Sequence, residues 1–178
     1  MDNENVNNEM LPVVDATGKV IGKITREEAH HGSKKLHPVV HLQIIKQGAI
    51  YLQKRREDKD IQPGKWDTAV GGHVDYGEDV ETALKREAFE ELTIKNFSSC
   101  FIAKYLWDSE EEREMVFSFF TRDAVNITPN INEISDARFW KFDEIERNIG
   151  KGIFTPNFEA EYRFLNNTIL PILKQYDI

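Results

Sequence analysis

Cysteine, long apolar runs and basic charge are all scarce in this chain of 178 residues. The single cysteine, Cys100, excludes an internal disulfide and favours a cytoplasmic location, where thiols stay reduced. Because Cys100 begins a short apolar run that ends at Ala103, we expect it to be a buried core thiol. No apolar run approaches the ~20 residues that span a bilayer, so the sequence predicts no association with a membrane.

Basic side chains are outnumbered, since 23 Lys and Arg face 31 Asp and Glu and leave a net charge of −8. This excess argues against nonspecific binding to nucleic acid and against an anionic membrane surface. A polyphosphate substrate would also be repelled unless a metal ion or local cations offset the charge. The start, MDNENVNNEM, lacks the basic and apolar regions of a signal peptide. We therefore expect a flexible tail over residues 1–10 and a single domain over residues 11–178.

Apolar patterns and turn signals predict interleaved α and β elements without repeats. The expected elements are hairpins at Leu11–Val14 with Val20–Ile24 and at His37–Ile45 with Ala49–Lys54, further strands at Asp67–Val70, Phe101–Trp107, Met115–Thr121 and Ala137–Lys141, and helices at Arg26–His31, Asp143–Ile149 and Phe158–Tyr176 in addition to the helix described next. Frequent hairpins among helices indicate an α/β fold in which a mixed sheet is sandwiched by helices.

One helix combines apolar and acidic residues in a way that packing alone does not explain. The segment GGHVDYGEDVETALKREAFEELTI begins at Gly71 and runs from a glycine-rich loop into this helix. At about 100° per residue, Val80 and Leu84 define an apolar stripe that has Glu87 and Glu91 in its middle. A carboxylate buried there without a partner would cost several kcal/mol. A solvated face, the usual interpretation of a charge run, would place both glutamates elsewhere on the helix.

The spacing of the acidic residues predicts a metal site. Glu87, Glu90 and Glu91 lie three or four residues apart or adjacent, so their side chains meet on one side of the helix. Such crowded carboxylates repel one another unless a divalent ion neutralises them, and hard oxygen ligands favour Mg²⁺ or Mn²⁺ over zinc. Arg86 precedes Glu90 by four residues and is placed to orient it. These four residues are the candidate catalytic set.

The same residues carry a family resemblance. Gly72, Glu78 and the run Arg86–Ile94 resemble the signature of the Nudix hydrolases, with the glycine, the arginine and four acidic positions at matching spacing. Two positions depart, because Ala88 replaces a bulkier aliphatic residue and Thr93 replaces the glycine that normally closes the helix. Since threonine enters the left-handed conformation less readily than glycine, we expect this helix to end by another geometry.

The resemblance has consequences for fold and chemistry. It implies a Nudix-like α/β/α sandwich with a mixed β-sheet. It also implies a hydrolase that cleaves a diphosphate linkage in a nucleoside diphosphate derivative or a related pyrophosphate. The cofactor would be Mg²⁺ or Mn²⁺ on the glutamates, and the partner a small-molecule diphosphate rather than a nucleic acid or a membrane.

Within this superfamily, the chain is most similar to the branch that includes isopentenyl diphosphate isomerase. The stretches VVDATGKVIGKITREEAH and LQKRREDKDIQPGKWDTAVGGH carry this similarity. The isomerase binds a divalent metal through three histidines and two glutamates. The matching positions imply a candidate second site for a transition metal, formed by His30, His37, His73, Glu112 and Glu114. A helix-capping role for His30 and an edge-strand role for His37 fit their positions equally well.

The residue at position 71 helps to decide whether the sequence predicts a hydrolase or an isomerase. The catalytic cysteine of the isomerases falls at Gly71 in this chain, whereas Glu87 completes the hydrolytic set. The sequence therefore favours a hydrolase over an isomerase-like enzyme, and the crowded carboxylates argue against a third alternative, a non-catalytic nucleotide-binding module. The proton acceptor stays open among Glu90, Glu91, Glu112 and Glu114. Candidate substrate contacts are Lys54, Arg55, Trp66 and Gly72. A homodimer through exposed edge strands is a further alternative.

Overall fold

The structure is a computed structural model that describes residues 9–175. Within these residues the chain forms nine strands and five helices, in the order β1 (Met10–Val14), β2 (Val20–Thr25), α1 (Arg26–His30), β3 (Leu36–Lys46), β4 (Ala49–Arg55), β5 (Trp66–Asp67), β6 (Val70–His73), α2 (Val80–Leu92), β7 (Cys100–Asp108), β8 (Arg113–Thr121), β9 (Ile134–Lys141), α3 (Phe142–Asn148), α4 (Pro156–Thr168) and α5 (Leu170–Gln175).

A seven-stranded mixed sheet forms the centre of the fold, and β1 with β2 makes a separate hairpin. Strand β8 runs parallel to β3 along one edge, from Leu36 to Ile44. Strands β6 and β4 share the other edge of β3, where β6 pairs antiparallel at Val39–Leu42 and β4 at Ile44–Lys46. Strands β4 and β6 therefore take successive parts of the same edge of β3.

Two apolar clusters cover the two faces of the sheet. Alternation along β3 sends Val40 and Leu42 to one face, where they pack in a cluster with Leu84 of α2. Ile45 lies in the cluster on the other face, together with Phe158 of α4. The resulting layers confirm the expected α/β/α sandwich with a mixed sheet.

The expected strand Asp67–Val70 is wrong, because two short strands, β5 and β6, occupy this region. Between them, the Asp67 side chain accepts a hydrogen bond from the N–H of Thr68 at 2.8 Å. The Thr68 hydroxyl donates to the carbonyl of Leu42 at 3.3 Å. The second bond ties the segment between β5 and β6 to β3, with which β6 then pairs.

The single long helix expected over Phe158–Tyr176 is also wrong within the described residues, which end before Tyr176. Helix α4 ends at Thr168 and α5 begins at Leu170. Pro171 lacks an N–H and cannot continue the hydrogen bonding of α4, but it is well suited to the first turn of a new helix.

Cys100 is exposed, so the expectation of a buried core thiol is wrong. It begins β7, the last strand in the sheet order, which within the described part of the chain has a neighbouring strand on one side only. Phe101 and Leu106 of the same strand are exposed as well. An apolar run at a sheet edge therefore has the composition of a core strand without its burial.

Of the tail predicted over residues 1–10, residues 1–8 lie outside the described part of the chain. Met10 begins β1, and the Glu9 carboxylate lies 3.1 Å from Nη1 of Arg26. Among the described residues, no helix combines the length and the apolar character needed to cross a membrane.

Candidate active site

Helix α2 is fixed at both ends by hydrogen bonds. The Asp79 carboxylate at its N-cap accepts hydrogen bonds from two backbone N–H groups of the first turn, each at 3.0 Å. The helix ends at Thr93, which adopts the left-handed conformation with φ of 59°, so the expectation that it would avoid this geometry is wrong. The Thr93 N–H donates to the carbonyl of Phe89 at 2.9 Å, and its hydroxyl donates to the carbonyl of Thr128 at 3.1 Å. These bonds offset the steric cost of a left-handed threonine.

Gly72 leaves the space that the Glu87 carboxylate occupies. A Cβ at Gly72 would lie 2.0 Å from Cδ of Glu87, so any other residue would displace this side chain. The Glu87 side chain is 12% exposed, and burial raises its pKa to about 7. The leading glycine and this glutamate therefore form a single packing unit between β6 and α2.

Arg86 connects the acidic residues of α2 to the loop before it. Its guanidinium donates to both carboxylate oxygens of Glu78, at 3.0 and 2.8 Å. Nη1 reaches Glu87 at 2.7 Å and Glu90 at 3.2 Å, and Nη2 donates to the carbonyl of His73 at 2.9 Å. One cation thus holds three carboxylates and the end of β6 in fixed positions.

Hydrogen bonds from β4 and β6 hold the side chain of Glu91. One carboxylate oxygen accepts hydrogen bonds from the Gln53 side chain at 3.0 Å and from the N–H of Gly71 at 3.1 Å. Burial, together with the nearby charge of Glu87, raises the pKa of Glu91 to about 8. The side chain of Glu90, in contrast, is 54% exposed. Two of the three crowded carboxylates therefore resist ionisation unless a cation accompanies them, which fits a divalent ion bound by oxygen.

These carboxylates line a cavity of about 690 Å³, which residues of β4 and β6 also line. Arg26, Arg55 and Lys59 bring positive charge to the same cavity. Of the predicted substrate contacts, Gly72 and Arg55 line it. Lys54 does not, and its Nζ lies 4.0 Å from the carboxylate of Glu57.

Trp66 belongs to the core. It is only 9% exposed, and its ring packs edge-on against Trp140 with 5.1 Å between centroids. Trp66 is not among the side chains that line the cavity, and its contact with a substrate stays a prediction.

The histidines of the candidate second site converge at another part of the cavity. One ring nitrogen from each of His30, His37 and His73 lies within 4.8 Å of the other two, and Nε2 of His30 is 3.0 Å from Nε2 of His73. Burial lowers the pKa of His30 to about 4 and lowers the pKa of the other two as well. All three rings are therefore neutral near pH 7, which is the form that binds metal.

The orientation of His37 supports this interpretation. Its Nδ1 lies 2.9 Å from the carbonyl of Lys35 and must donate to it, which leaves Nε2 as an unprotonated acceptor. That Nε2 is buried and has no hydrogen-bond partner among the described residues. A carbonyl that fixes the tautomer of a histidine in this way is a common support for a metal ligand.

The two glutamates of the candidate second site occupy different places. The Glu112 carboxylate lies 3.7 Å from Nε2 of His30. Glu114 is opposite His37 in the pairing of β3 with β8, and burial followed by the charge of Glu112 raises its pKa to about 8. The structure thus joins Glu112 to the histidines through His30 and leaves Glu114 on the adjacent strand.

Sequence reasoning missed His41 and Glu161. His41 lines the cavity, and its Nδ1 lies 2.8 Å from the buried Glu161 carboxylate. A signal for His41 was available, because a residue four positions after His37 in one strand lies on the same face. Glu161 gave no signal, since it follows His41 by 120 positions.

Comparison with known proteins gives consistent results. The family model described as the NUDIX domain matches residues 35–158. An uncharacterized Nudix hydrolase of Listeria monocytogenes is 35% identical over 127 residues, which cover 70% of this chain and 75% of that protein. The isopentenyl-diphosphate Delta-isomerase of Brevibacterium linens is 28% identical over 145 residues, or 78% of this chain and 80% of that protein.

A protein of Deinococcus radiodurans known from a crystal structure has a similar fold, with a TM-score of 0.76 and 24% sequence identity. The superposition covers 87% of this chain and 98% of that one.

Proposed function

Because this chain belongs to the Nudix family, we propose that it is a metal-dependent hydrolase of a diphosphate linkage in a nucleoside diphosphate derivative or a related pyrophosphate. The observation that carries this proposal is the pair of carboxylates, Glu87 and Glu91, at the wall of the cavity. Gly72 makes room for one, and hydrogen bonds fix the other. Burial raises the pKa of both carboxyls, and a bound divalent cation would favour their ionised form.

Four charged residues of α2 have a part in this scheme. Glu87, Glu90 and Glu91 would hold Mg²⁺ or Mn²⁺ through oxygen atoms. A bound ion would neutralise charge on the phosphate oxygens and lower the pKa of an attacking water. Arg86 holds Glu87 and Glu90 in place through direct ion pairs, so it acts on the geometry of the carboxylates.

The opposite wall supplies positive charge for the phosphates of a small-molecule substrate. Arg55 donates through Nε to the carbonyl of Ile61 at 3.0 Å. Among the described residues its terminal nitrogens have one further partner, the Asp67 carboxylate at 3.7 Å, and can bind an anion. A guanidinium held in this way can bind a phosphate through two parallel hydrogen bonds.

We further propose that His30, His37 and His73, with Glu112, bind a transition metal separate from the glutamate site. Three neutral imidazoles and one carboxylate are a donor set that suits zinc and its neighbours rather than magnesium. The buried lone pair on Nε2 of His37 is the specific feature that favours it.

An isomerase-like activity is the second candidate, because the same histidine cluster and the isomerase relatives favour it. Gly71 counts against this activity, because it stands where the isomerases have their catalytic cysteine. Proton transfer to and from a carbon–carbon double bond would lack that thiol. Hydrolysis needs no group at that position.

The test is a phosphate-release screen over nucleoside triphosphates, nucleotide sugars, dinucleotides and prenyl diphosphates, with Mg²⁺ or Mn²⁺ and with EDTA. We expect metal-dependent cleavage of at least one compound by the parent and its loss in Glu87→Gln. Equal cleavage by Glu87→Gln would contradict the assignment of this residue. Binding of these compounds by the parent without any cleavage would favour the non-catalytic module.

A further inference from the structure

His41 is held in the floor of the cavity by its neighbours in the sheet. It lies on β3 opposite Gly71 of β6 on one side and Ser118 of β8 on the other, and it is 7% exposed. Its Nδ1 lies 2.8 Å from one oxygen of Glu161, and the Ser118 hydroxyl donates to the other oxygen. Both oxygens of this α4 carboxylate are thus engaged, which fixes the plane of the imidazole.

The other ring nitrogen of His41 faces the cavity. Among the described residues Nε2 has no hydrogen-bond partner, although the residue lines the cavity. A Cβ at Gly71 would lie 3.7 Å from this nitrogen, so the glycine leaves it uncovered. Burial by itself would lower the pKa of His41, but the Glu161 carboxylate, with smaller contributions from Asp67 and Glu114, outweighs burial and raises it to about 9. Both ring nitrogens of a protonated imidazole are hydrogen-bond donors.

Gly71 contacts both His41 and the glutamate cluster. The N–H of Gly71, the residue paired with His41, donates to the carboxylate of Glu91 at 3.1 Å. His41 and Glu91 both line the cavity, so an anion bound there by a metal ion on Glu91 would share that cavity with the imidazole. Arg86, the cation on α2, already donates to three carboxylates.

We propose that His41, positioned by Glu161, binds an anionic phosphate oxygen of the substrate through Nε2–H. This inference rests on the proposed hydrolase function and adds a substrate-binding residue to it. Glu161 is a positioning residue, because it acts on the substrate only through the imidazole. A charge-assisted hydrogen bond from a fixed donor contributes strongly to the binding of an anion.

The experiment measures the binding of methylenediphosphonate, which cannot be hydrolysed, by calorimetry in the presence of Mg²⁺. We expect His41→Gln to weaken binding by roughly tenfold or more, since glutamine keeps a donor but not the charge. The matched control is His31→Gln, because His31 is an exposed histidine outside the cavity that bonds only the carbonyl of Glu27; its affinity should equal that of the parent. Parent-like affinity in a folded His41→Gln protein would overturn the proposal.

A second measurement needs no substitution at His41. In protein labelled with ¹⁵N-histidine, the Nε2–H resonance of His41 should shift when methylenediphosphonate is added. In Glu161→Gln, the ring should take on the nitrogen shifts of a neutral imidazole near pH 7.5, which a merely structural role for Glu161 would not produce. A His41 resonance that does not respond to the diphosphonate would overturn the proposal. Absence of binding by the parent would instead contradict the hydrolase function itself, so the two failures are distinguishable.

Discussion

Replacing Glu91 by glutamine should stabilise the metal-free protein and, at the same time, remove most of its metal-dependent hydrolysis. Glutamine keeps the side-chain oxygen that accepts hydrogen bonds from Gln53 and Gly71, but it cannot carry a negative charge. The fold therefore loses an unfavourable buried charge, and the cation loses a ligand. Few substitutions in this chain separate stability from activity so cleanly.

The magnitude follows from the pKa of Glu91, which burial raises from 4.5 to about 8. One pKa unit corresponds to about 1.4 kcal/mol, and at pH 7 the unfolded chain has released a proton that the folded chain still binds. The parent is thus destabilised by at most about 3 kcal/mol at this pH. Since the glutamine amide also costs some free energy to bury, we expect a net gain in the free energy of unfolding of about 1–3 kcal/mol. For a domain of this size that raises Tm by roughly 2–10 °C.

The sign of the pH dependence gives a second check. A carboxyl whose folded pKa is raised contributes its stability below the ordinary pKa, near 4.5, and loses it as the pH rises through about 8. The Tm of the metal-free parent should therefore fall between pH 5 and pH 9, and the Tm of Glu91→Gln should fall less. Mg²⁺ should raise the Tm of the parent most at the alkaline end, where its carboxylates are ionised.

The assay is thermal unfolding followed by circular dichroism at pH 5, 7 and 9, with EDTA and with Mg²⁺, alongside turnover of the best compound from the phosphate-release screen. Turnover of Glu91→Gln should drop by roughly 10²–10³-fold. The matched control is Glu90→Gln, whose side chain is 54% exposed in the parent; its unfolding free energy should stay within about 0.5 kcal/mol. A Glu91→Gln protein that melts below the parent at pH 9 in EDTA, or that hydrolyses as fast, would refute the reasoning.

Three further predictions concern neighbouring features. Gly72→Ala should lose Mn²⁺ binding by calorimetry, because its Cβ would lie 2.0 Å from the carboxyl of Glu87, whereas Gly71→Ala, with no atom nearer than 3.4 Å, should keep it. His73→Ala should contain no tightly bound transition metal by elemental analysis but should retain Mg²⁺-dependent turnover, with the exposed His31→Ala as control; an unchanged metal content would rule out the second site. The parent should not interconvert isopentenyl and dimethylallyl diphosphate, and the appearance of either product from the other would reverse our preference for hydrolysis.

Local patterns were sufficient to predict the elements that surround the site. The period of α2 placed Leu84 on the buried face, and the structure confirms it. Glu87 and Glu91 share that side of the helix because the same 100° step governs both kinds of residue. The capping box at Thr25, which starts α1, is a local feature of the same kind, since its partners lie within one turn.

Features that depend on contacts between distant parts of the chain could not be predicted from the sequence. Cys100 was expected in the core because composition does not reveal which strand becomes the sheet edge. The burial of Trp66 could not be predicted either, because it depends on packing against Trp140, far along the chain. The pairing of His41 with Glu161 joins β3 to α4 across 120 positions, and only the assembled layers bring the two side chains together.

The left-handed Thr93 was also missed, since its backbone conformation is stabilised by a partner at Thr128. Glycine is the usual residue there because it needs no such partner. A tertiary hydrogen bond can thus substitute for conformational freedom, and no local rule anticipates it.

The central strand β3 serves both proposed chemistries, because it carries His37 and His41 and borders the glycines of β6. Side chains in a strand alternate between faces, so a slip of one residue between β3 and β8 would turn both imidazoles away from the cavity together. A single inserted or deleted residue in this strand should therefore erase metal and phosphate recognition in one step, even if the sheet still formed. Insertions in loops leave the pairing of β3 unchanged, whereas the length of this strand has to stay constant for both imidazoles to face the cavity.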